Sequence, residues 1–394
     1  MKSDWKQVTL NDVTDILGDG IHGTPEYSQS GEYAFINGNN LVNGQIQIKD
    51  STKRVDLEQF IEYKKPLSNR TILVSINGTL GNVAIYRGEK VILGKSACYF
   101  NVSENISKDF IRFVVVSPAF QNYLQNQATG TTIKNVSLKQ MREYPFLLPP
   151  IETQKSITEI LLALNDKIEL NQKINENLEQ QAIALFNNFY DHAETEVSFT
   201  DAIQILGGGT PKTGESLYWN SGVPFFTPKD AGYPYTLTTE KTITEEGLAH
   251  CNSRLYPINT VFVTARGTVG KVSMFGVSMA MNQSCYALAG KGTHQLLVYL
   301  YTLKAVERLK HKASGAVFDA ITTRDFASEQ IMKLSNDDAE AFLCVAEPMY
   351  QAILNNCVEN LRLAALRDSL LPKLMSGEID ITNISGLREG YLDE

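Results

Sequence analysis

Long apolar runs are missing from this chain of 394 residues, and so is any excess of positive charge. No stretch of about 18 apolar residues occurs, and the N-terminal segment Met1–Asp12 is polar, so neither a membrane-spanning helix nor a secretory leader is expected. The five cysteines are odd in number and scattered, with no CxxC pair, which points to a reduced, cytoplasmic chain. The five histidines (His22, His192, His250, His294 and His311) stand apart, and no metal-ligand spacing joins them. There is no GxSxG elbow and no Asn-Pro-Pro-aromatic signature of an amino-methyltransferase. No convincing glycine fingerprint marks a dinucleotide or S-adenosylmethionine site. "GGGTPKTG" from Gly207 imitates a phosphate-binding loop, but Lys212 follows Pro211 rather than glycine. These absences argue against catalysis, a metal or a cofactor in this chain.

The net charge is −8, and two short stretches account for it. Gly377–Glu394 and Glu329–Glu347 each carry five acids and one basic residue, leaving the remainder neutral. A neutral remainder does not advertise a nucleic-acid binder, so any phosphate grip must come from locally clustered Lys and Arg or from a partner. With 43% hydrophobic and 20% charged residues, the chain has the composition of a soluble globular protein of two or three domains.

What is present is a duplication. "ILVSINGTLGNVAIY" from Ile72 aligns without a gap on "VFVTARGTVGKVSMF" from Val261. Val74, Gly78, Thr79, Gly81 and Val83 recur as Val263, Gly267, Thr268, Gly270 and Val272. Further blocks keep the same order: "ILGDGIHGTPEY" with "ILGGGTPKTGES", "GEYAFINGNNL" with "SGVPFFTPKDA", "SACYF" at Ser96 with "QSCYAL" at Gln283, and "ATGTTIKNVSLKQM" with "ASGAVFDAITTRDF". Such order over a period near 190 residues marks a repeat. Alternating runs such as "TILVSI", "NVAIY", "TVFVTA" and "KVSMF" read as strands around glycine-containing turns.

Each copy ends in a long helix. The first starts after Pro149–Pro150, and Glu152 suits its first turn. Ile157, Leu161, Leu164, Ile168, Asn171, Asn175, Leu178, Ala182, Leu185 and Phe189 follow a 4-3 spacing, a heptad seam with two asparagines at its middle. In the second helix Val345, Met349, Ala352, Asn356, Leu363, Leu366 and Leu370 keep that spacing, interrupted by Glu359. Pro348 is expected to kink that helix or mark its start, and Gly377 to stop it. The chain therefore divides into a first domain over 1–150, a central helix over 151–190, a second domain over 191–335, a distal helix over 336–377 and an acidic tail over 378–394.

Tight turns explain the glycines of GTLG and GTVG. They do not explain why Asn77 and Asn82 in one copy become Arg266 and Lys271 in the other. Asn and Gln can pair bidentately with adenine edges, and Arg or Lys with guanine. Single Asn-rich loops are ordinarily turns, yet here polar loops recur at matching places. The DNA-contact candidates are Asn37, Asn39, Asn77, Thr79, Asn82 and Lys134 in the first copy. In the second they are Lys212, Lys229, Arg266, Thr268, Lys271 and Gln283.

"YPFLLPPIETQKSITEIL" and "LRDSLLPKLMSGEI", together with "GTTIKNVSLKQM" and "RGTVGKV", resemble blocks of the specificity subunits of Type I restriction–modification systems. The resemblance covers nearly the whole chain. It implies an α+β fold in which two related strand-rich target recognition domains are separated by two long antiparallel helices with pseudo-two-fold symmetry. It implies a non-catalytic subunit reading a bipartite, asymmetric target in double-stranded DNA. Two methyltransferase subunits would bind the helices, with two restriction/motor subunits in the full complex. S-adenosylmethionine, ATP and Mg would sit on those partners. Ile157, Leu161, Leu164, Ile168, Leu178, Leu185, Leu363, Leu366 and Leu370 would form the scaffold. The helices, roughly 60 Å long, would act as a ruler for half-sites about 34–36 Å apart. The sequence departs from the family where the second copy lacks the Leu-Pro-Pro entry to its helix. The rival reading is a helical adaptor that binds only proteins, which the acidic balance favours.

Overall fold

A computed structural model of the chain describes residues 4–130, 133–312, 320–379 and 381. Residues 131–132 and 313–319 of the last repeat block, and all of the acidic tail except Glu378, Ile379 and Ile381, lie outside the described residues. The chain forms two compact units. One comprises Met1–Asp166 with Leu363–Glu394, the other Lys167–Arg362.

In the first unit a four-stranded antiparallel sheet runs in the order Thr14–Gly18, Ala97–Val102, Thr71–Ser75, Val83–Ile85. A three-stranded sheet (Arg54–Val55, Tyr33–Ile36, Val91–Leu93) and a pair joining Lys6–Thr9 to Pro145–Leu148 complete it, beside a short hairpin at Leu41–Val42 and Gln45–Ile46. The second unit repeats this plan. Its main sheet runs Ile203–Gly207, Cys285–Gly290, Val261–Thr264, Val272–Phe275 and adds Tyr235–Thr236 at the edge. Lys241–Ile243, Trp219–Phe226 and Ala280–Met281 form the smaller sheet, and Thr195–Ser198 pairs with Gln330–Lys333.

The central strands are buried throughout, and their side-chain alternation explains why. Successive residues point to opposite faces. Ile72 and Val74 join the core that contains Phe110, Phe113 and Phe120, whereas Leu73 joins the core of Ala34, Ile36 and Leu93. Likewise Val261 and Val263 face the helices while Phe262 stacks with Phe226 and Phe275 on the other side. A sheet covered on both faces needs apolar residues pointing both ways, and Ile72–Val74 and Val261–Val263 supply them, with hydroxyl residues Thr71, Ser75 and Thr264 at the strand ends.

The central helix, Ile151–His192, begins where Gln154 N–H donates to Pro150 O (3.0 Å) and its buried side-chain amide donates to Pro149 O (2.8 Å). The distal helix is Asn336–Met375. Its start is set by Ser335, whose hydroxyl accepts from Asp338 N–H (3.1 Å) and donates to the Asp338 carboxylate (2.7 Å). Pro348 therefore marks no start: it lies inside a continuous helix, because the cap has already formed upstream. Gly377, at φ +68°, ends the helix with Glu378 N–H on Lys373 O (2.9 Å).

The helices pair in antiparallel fashion in each unit. In the first, Ile157 and Leu161 share a core with Leu371 and Leu374, and Arg367 donates to Asn165 Oδ1 (2.9 Å). In the second, Asn171 Nδ2 donates to Glu359 (2.7 Å) and Asn360 (2.9 Å), and Asn356 Nδ2 donates to Asn175 Oδ1 (2.8 Å). Glu359 does not interrupt the seam; it accepts from the buried Asn171 Nδ2 and pairs with Lys167 (3.4 Å). Leu164, Ile168, Leu178, Leu185, Leu363 and Leu370 are half-buried. Leu366 and Val345, placed on the seam by spacing, are instead 47% and 46% exposed. Phe342, on that spacing, is buried and packs edge-on to Phe186, but from there the buried stripe runs one residue further on, through Ala346, Tyr350 and Ile353, with Tyr350 edge-on to Tyr299.

Glu179 lies buried on the central helix, accepting from Tyr299 Oη (2.9 Å). Burial pushes its carboxyl up to about 6, against the opposing hydrogen bond from Tyr299. A raised carboxyl stabilises the fold only while protonated, and that contribution is lost as pH rises through about 6. Glu179→Gln should therefore be more stable than the parent by roughly 1–2 kcal/mol near pH 8, with the gap closing towards pH 4. Denaturant unfolding across pH measures this, and a gap independent of pH would refute it.

Candidate nucleic-acid interface

The duplicated Gly-Thr loops close in the same way. Gly78 and Gly81 sit at φ +75° and +83°, Gly267 and Gly270 at +81° and +77°, a left-handed region that glycine enters without strain. Gly81 N–H bonds to Ser75 O (2.9 Å) and Gly270 N–H to Thr264 O (2.8 Å). The strand hydroxyls add a second clamp: Ser75 Oγ accepts from Asn82 N–H (2.8 Å), Thr264 Oγ1 from Lys271 N–H (3.0 Å). Each loop is also buttressed from both sides. Ile76 N–H bonds to Ser96 O (2.9 Å) and Val136 N–H to Ile76 O (2.9 Å); Ala265 N–H bonds to Ser284 O (2.8 Å) and Ile321 N–H to Ala265 O (2.9 Å).

Two more loops join each of these. Asn37–Asn40 and Thr227–Asp230 are equivalent turns, each closed by a side chain reaching back to the first residue: Asn37 N–H to Asn40 Oδ1 (2.9 Å), Thr227 N–H to Asp230 Oδ2 (2.8 Å). Gly94 N–H on Ile36 O (2.8 Å) matches Asn282 N–H on Phe226 O (3.0 Å). These bonds bring Asn37, Asn39, Asn77, Asn82 and Lys134 to one set of linked loops. They do the same for Lys229, Arg266 and Gln283, while Lys212 joins through Thr210, whose hydroxyl bonds to Gln283.

The candidates then separate by what their side chains already do. Asn37 accepts from Ser96 Oγ (2.9 Å), Asn77 donates to Asn135 (3.1 Å), Asn82 donates to Gly38 O (3.2 Å), and Lys134 donates to Gln125 (3.0 Å). Four of the five asparagine and lysine candidates of the first copy thus already bond within the protein, in the ordinary role of loop closure. By contrast Asn39, Thr79, Lys212, Lys229, Arg266, Thr268 and Lys271 are exposed, and among the described residues their side chains make no hydrogen bond or ion pair. Of the candidates, the second unit accordingly leaves four cations and a hydroxyl free, the first one amide and one hydroxyl. Arg266 stands on the best-held base of them, its own N–H bonded to Ser284 O (3.2 Å). Lys271 leaves the far end of the same turn and lines a separate cleft.

Lys95 escaped the sequence reading. It is exposed and precedes Ser96 as Gln283 precedes Ser284, since Ala97 N–H on Gly94 O answers Cys285 N–H on Asn282 O. Aligning Ser96 with Ser284 rather than with Gln283 would have exposed it. "GGGTPKTG" is no phosphate cradle: the three-residue turn Ser216–Tyr218 follows it, not a helix, and Gly208 packs on the carbonyls of Met281 and Asn282. Among the described residues no three His, Cys, Asp or Glu side chains gather as a metal cluster would, and no helix is long and apolar enough to cross a membrane.

Compared with known proteins, the model of the Type I restriction modification DNA specificity domain matches this chain twice, over residues 2–180 and 194–333. The chain belongs to that family. It is similar to the Type I restriction enzyme HindI specificity subunit of Haemophilus influenzae, at 23% identity over 96% of this chain and 100% of the relative. It is also similar to the MjaIX specificity subunit of Methanocaldococcus jannaschii, at 20% identity over 97% and 95%. Among solved structures, the S subunit from M. genitalium shares the fold, with a TM-score of 0.56, 18% identity and coverage of 96% and 97%. The family match falls once on each copy of the repeat, as the duplicated sheets and loops do.

The two loop glycines make a graded test. A Cβ at Gly78 meets nothing, so Gly78→Ala should cost about 1–2 kcal/mol of left-handed strain alone. At Gly81 the Cβ would fall 2.0 Å from Gln121, whose amide donates to Gly81 O (3.0 Å) and Val115 O (2.9 Å). Gly81→Ala should therefore cost about 1 kcal/mol more. Urea unfolding of both variants checks the order; equal losses would show that Gln121 does not brace the loop.

Proposed function

We propose that this specificity subunit reads a bipartite, asymmetric target in duplex DNA, one half with each unit, and takes no part in chemistry itself. The observation that carries this is one loop scaffold built twice with unlike free side chains, Asn39 giving way to Lys229 and the loop-bound Asn77 to the free Arg266. Identical scaffolds with unlike donors suit two unlike half-sites, since guanidinium and amide groups favour different base edges. Methyltransferase subunits, and restriction subunits in the full complex, are the assembly partners of this reading. On the helix pair of the second unit, Leu170, Ile174 and Leu361 are exposed apolar residues suited to receive a partner helix. S-adenosylmethionine, ATP and Mg belong to those partners, and the complex works in the cytoplasm.

Long-read methylation mapping in cells carrying the chain with its methyltransferase partner tests the proposal. A gapped two-part motif is expected; no chain-dependent methylation would leave the adaptor that binds only proteins. Arg266→Ala should relax one position in a single half of the motif, through about 1–3 kcal/mol per base contact, with the other half intact. Equal loss at both halves would refute the assignment of Arg266.

A further inference from the structure

The second unit holds a cleft of about 790 Å³ between its Gly-Thr loop, the central helix and the helix Gln295–Lys312. Lys271, Lys304 and Lys310 line it with Tyr233 and Phe186, and Glu307 is its one acid. The other cations of that helix are already used: Arg308 (2.9 Å) and Lys312 pair with Glu329, which is 1% exposed. Lys304 lies over the Tyr190 ring at 5.5 Å. Among the described residues none of the three cleft lysines has a carboxylate partner.

The first unit shows what this place looks like without charge. Beneath Gly81 sits Gln121, its amide spent on two backbone carbonyls (3.0 and 2.9 Å). Beneath Gly270, at the equivalent point, sits Lys310, its Cε 2.5 Å from where a Cβ would stand. At the turn's end Asn82, bonded to Gly38 O (3.2 Å), is replaced by the unpaired Lys271. Two positions that serve loop closure in one copy are thus cationic and unsatisfied in the other. They converge on a cleft that opens beside the reading loop.

We infer that this cleft receives backbone phosphates of the DNA flanking the half-site read by the second unit. The site rests on the DNA reading above and adds to it an asymmetry: at this place the second unit carries a sequence-independent grip where the first has only Gln121 and Asn82.

The test rewrites the second copy as the first, in the full-length chain, with a random-sequence duplex as probe. Lys310→Gln should reduce the slope of log Kd against log salt by about one, and Lys271→Asn with Lys310→Gln by about two. Raising salt from about 50 to about 200 mM should then weaken the single variant about threefold less than the parent. Lys139→Gln removes a surface charge elsewhere and should leave the slope unchanged. The methylation motif should not change in any variant. An unchanged slope in variants that melt like the parent overturns the phosphate site, as does an altered motif, which would mark a base contact. A parent chain that binds no duplex overturns the DNA reading, and this site with it.

Discussion

The loops that differ between the two copies hang on the fixing of two short turns. Each leaves a fully buried strand, passes through two left-handed glycines, and is clamped by a strand hydroxyl, Ser75 or Thr264, onto the first residue after the turn. Because the strand cannot shift without exposing residues from two cores, the turn inherits the strand's position. A side chain on such a turn keeps its direction, and a donor with a fixed direction can discriminate between acceptors. The copies differ at the tips of these turns: Asn77 and Asn82 bond within their own loops, whereas Arg266 and Lys271 do not.

The helix pair answers to a different constraint. Its ends are apolar, packed into the core of one unit at Ile157, Leu161, Leu371 and Leu374 and of the other at Phe186, Phe342 and Ile353. Its middle is amide-rich, with Asn171 bonded to Asn360 and Asn356 to Asn175, and Asn171 fully buried. Buried amides stabilise less than leucines would, but they tolerate only the register in which their partners meet. Apolar ends supply adhesion, and the polar middle selects the alignment.

Much of this was legible from residues alone. The repeat, the strand pairs around GTLG and GTVG, the central helix seam and the Gly377 stop follow from spacing and backbone preference, which are local. The distal seam was not: Val345 and Leu366 fit the heptad yet stand exposed, while Ala346 and Tyr350, one residue beyond the predicted positions, are buried, Tyr350 against Tyr299. Glu359 looked like a break because the sequence does not show that Asn171 stands opposite. Among the site candidates, exposure could be guessed from polarity, yet Asn77 and Asn82 proved to be spent inside their loops while Arg266 and Lys271 did not.

The amino-acid sequence by itself determined that one unit was built twice, that each copy is strand-rich with long helices, and which loop positions vary. Those properties depend on order and periodicity, which a single chain displays directly. Tertiary structure alone decided which polar side chains are free to act and which are consumed in holding the loops. It also brought Lys271, Lys304 and Lys310 to one cleft. Satisfaction of a hydrogen-bonding group depends on what lies within about 3 Å of it in space, and that neighbour is set by packing between segments far apart in the chain.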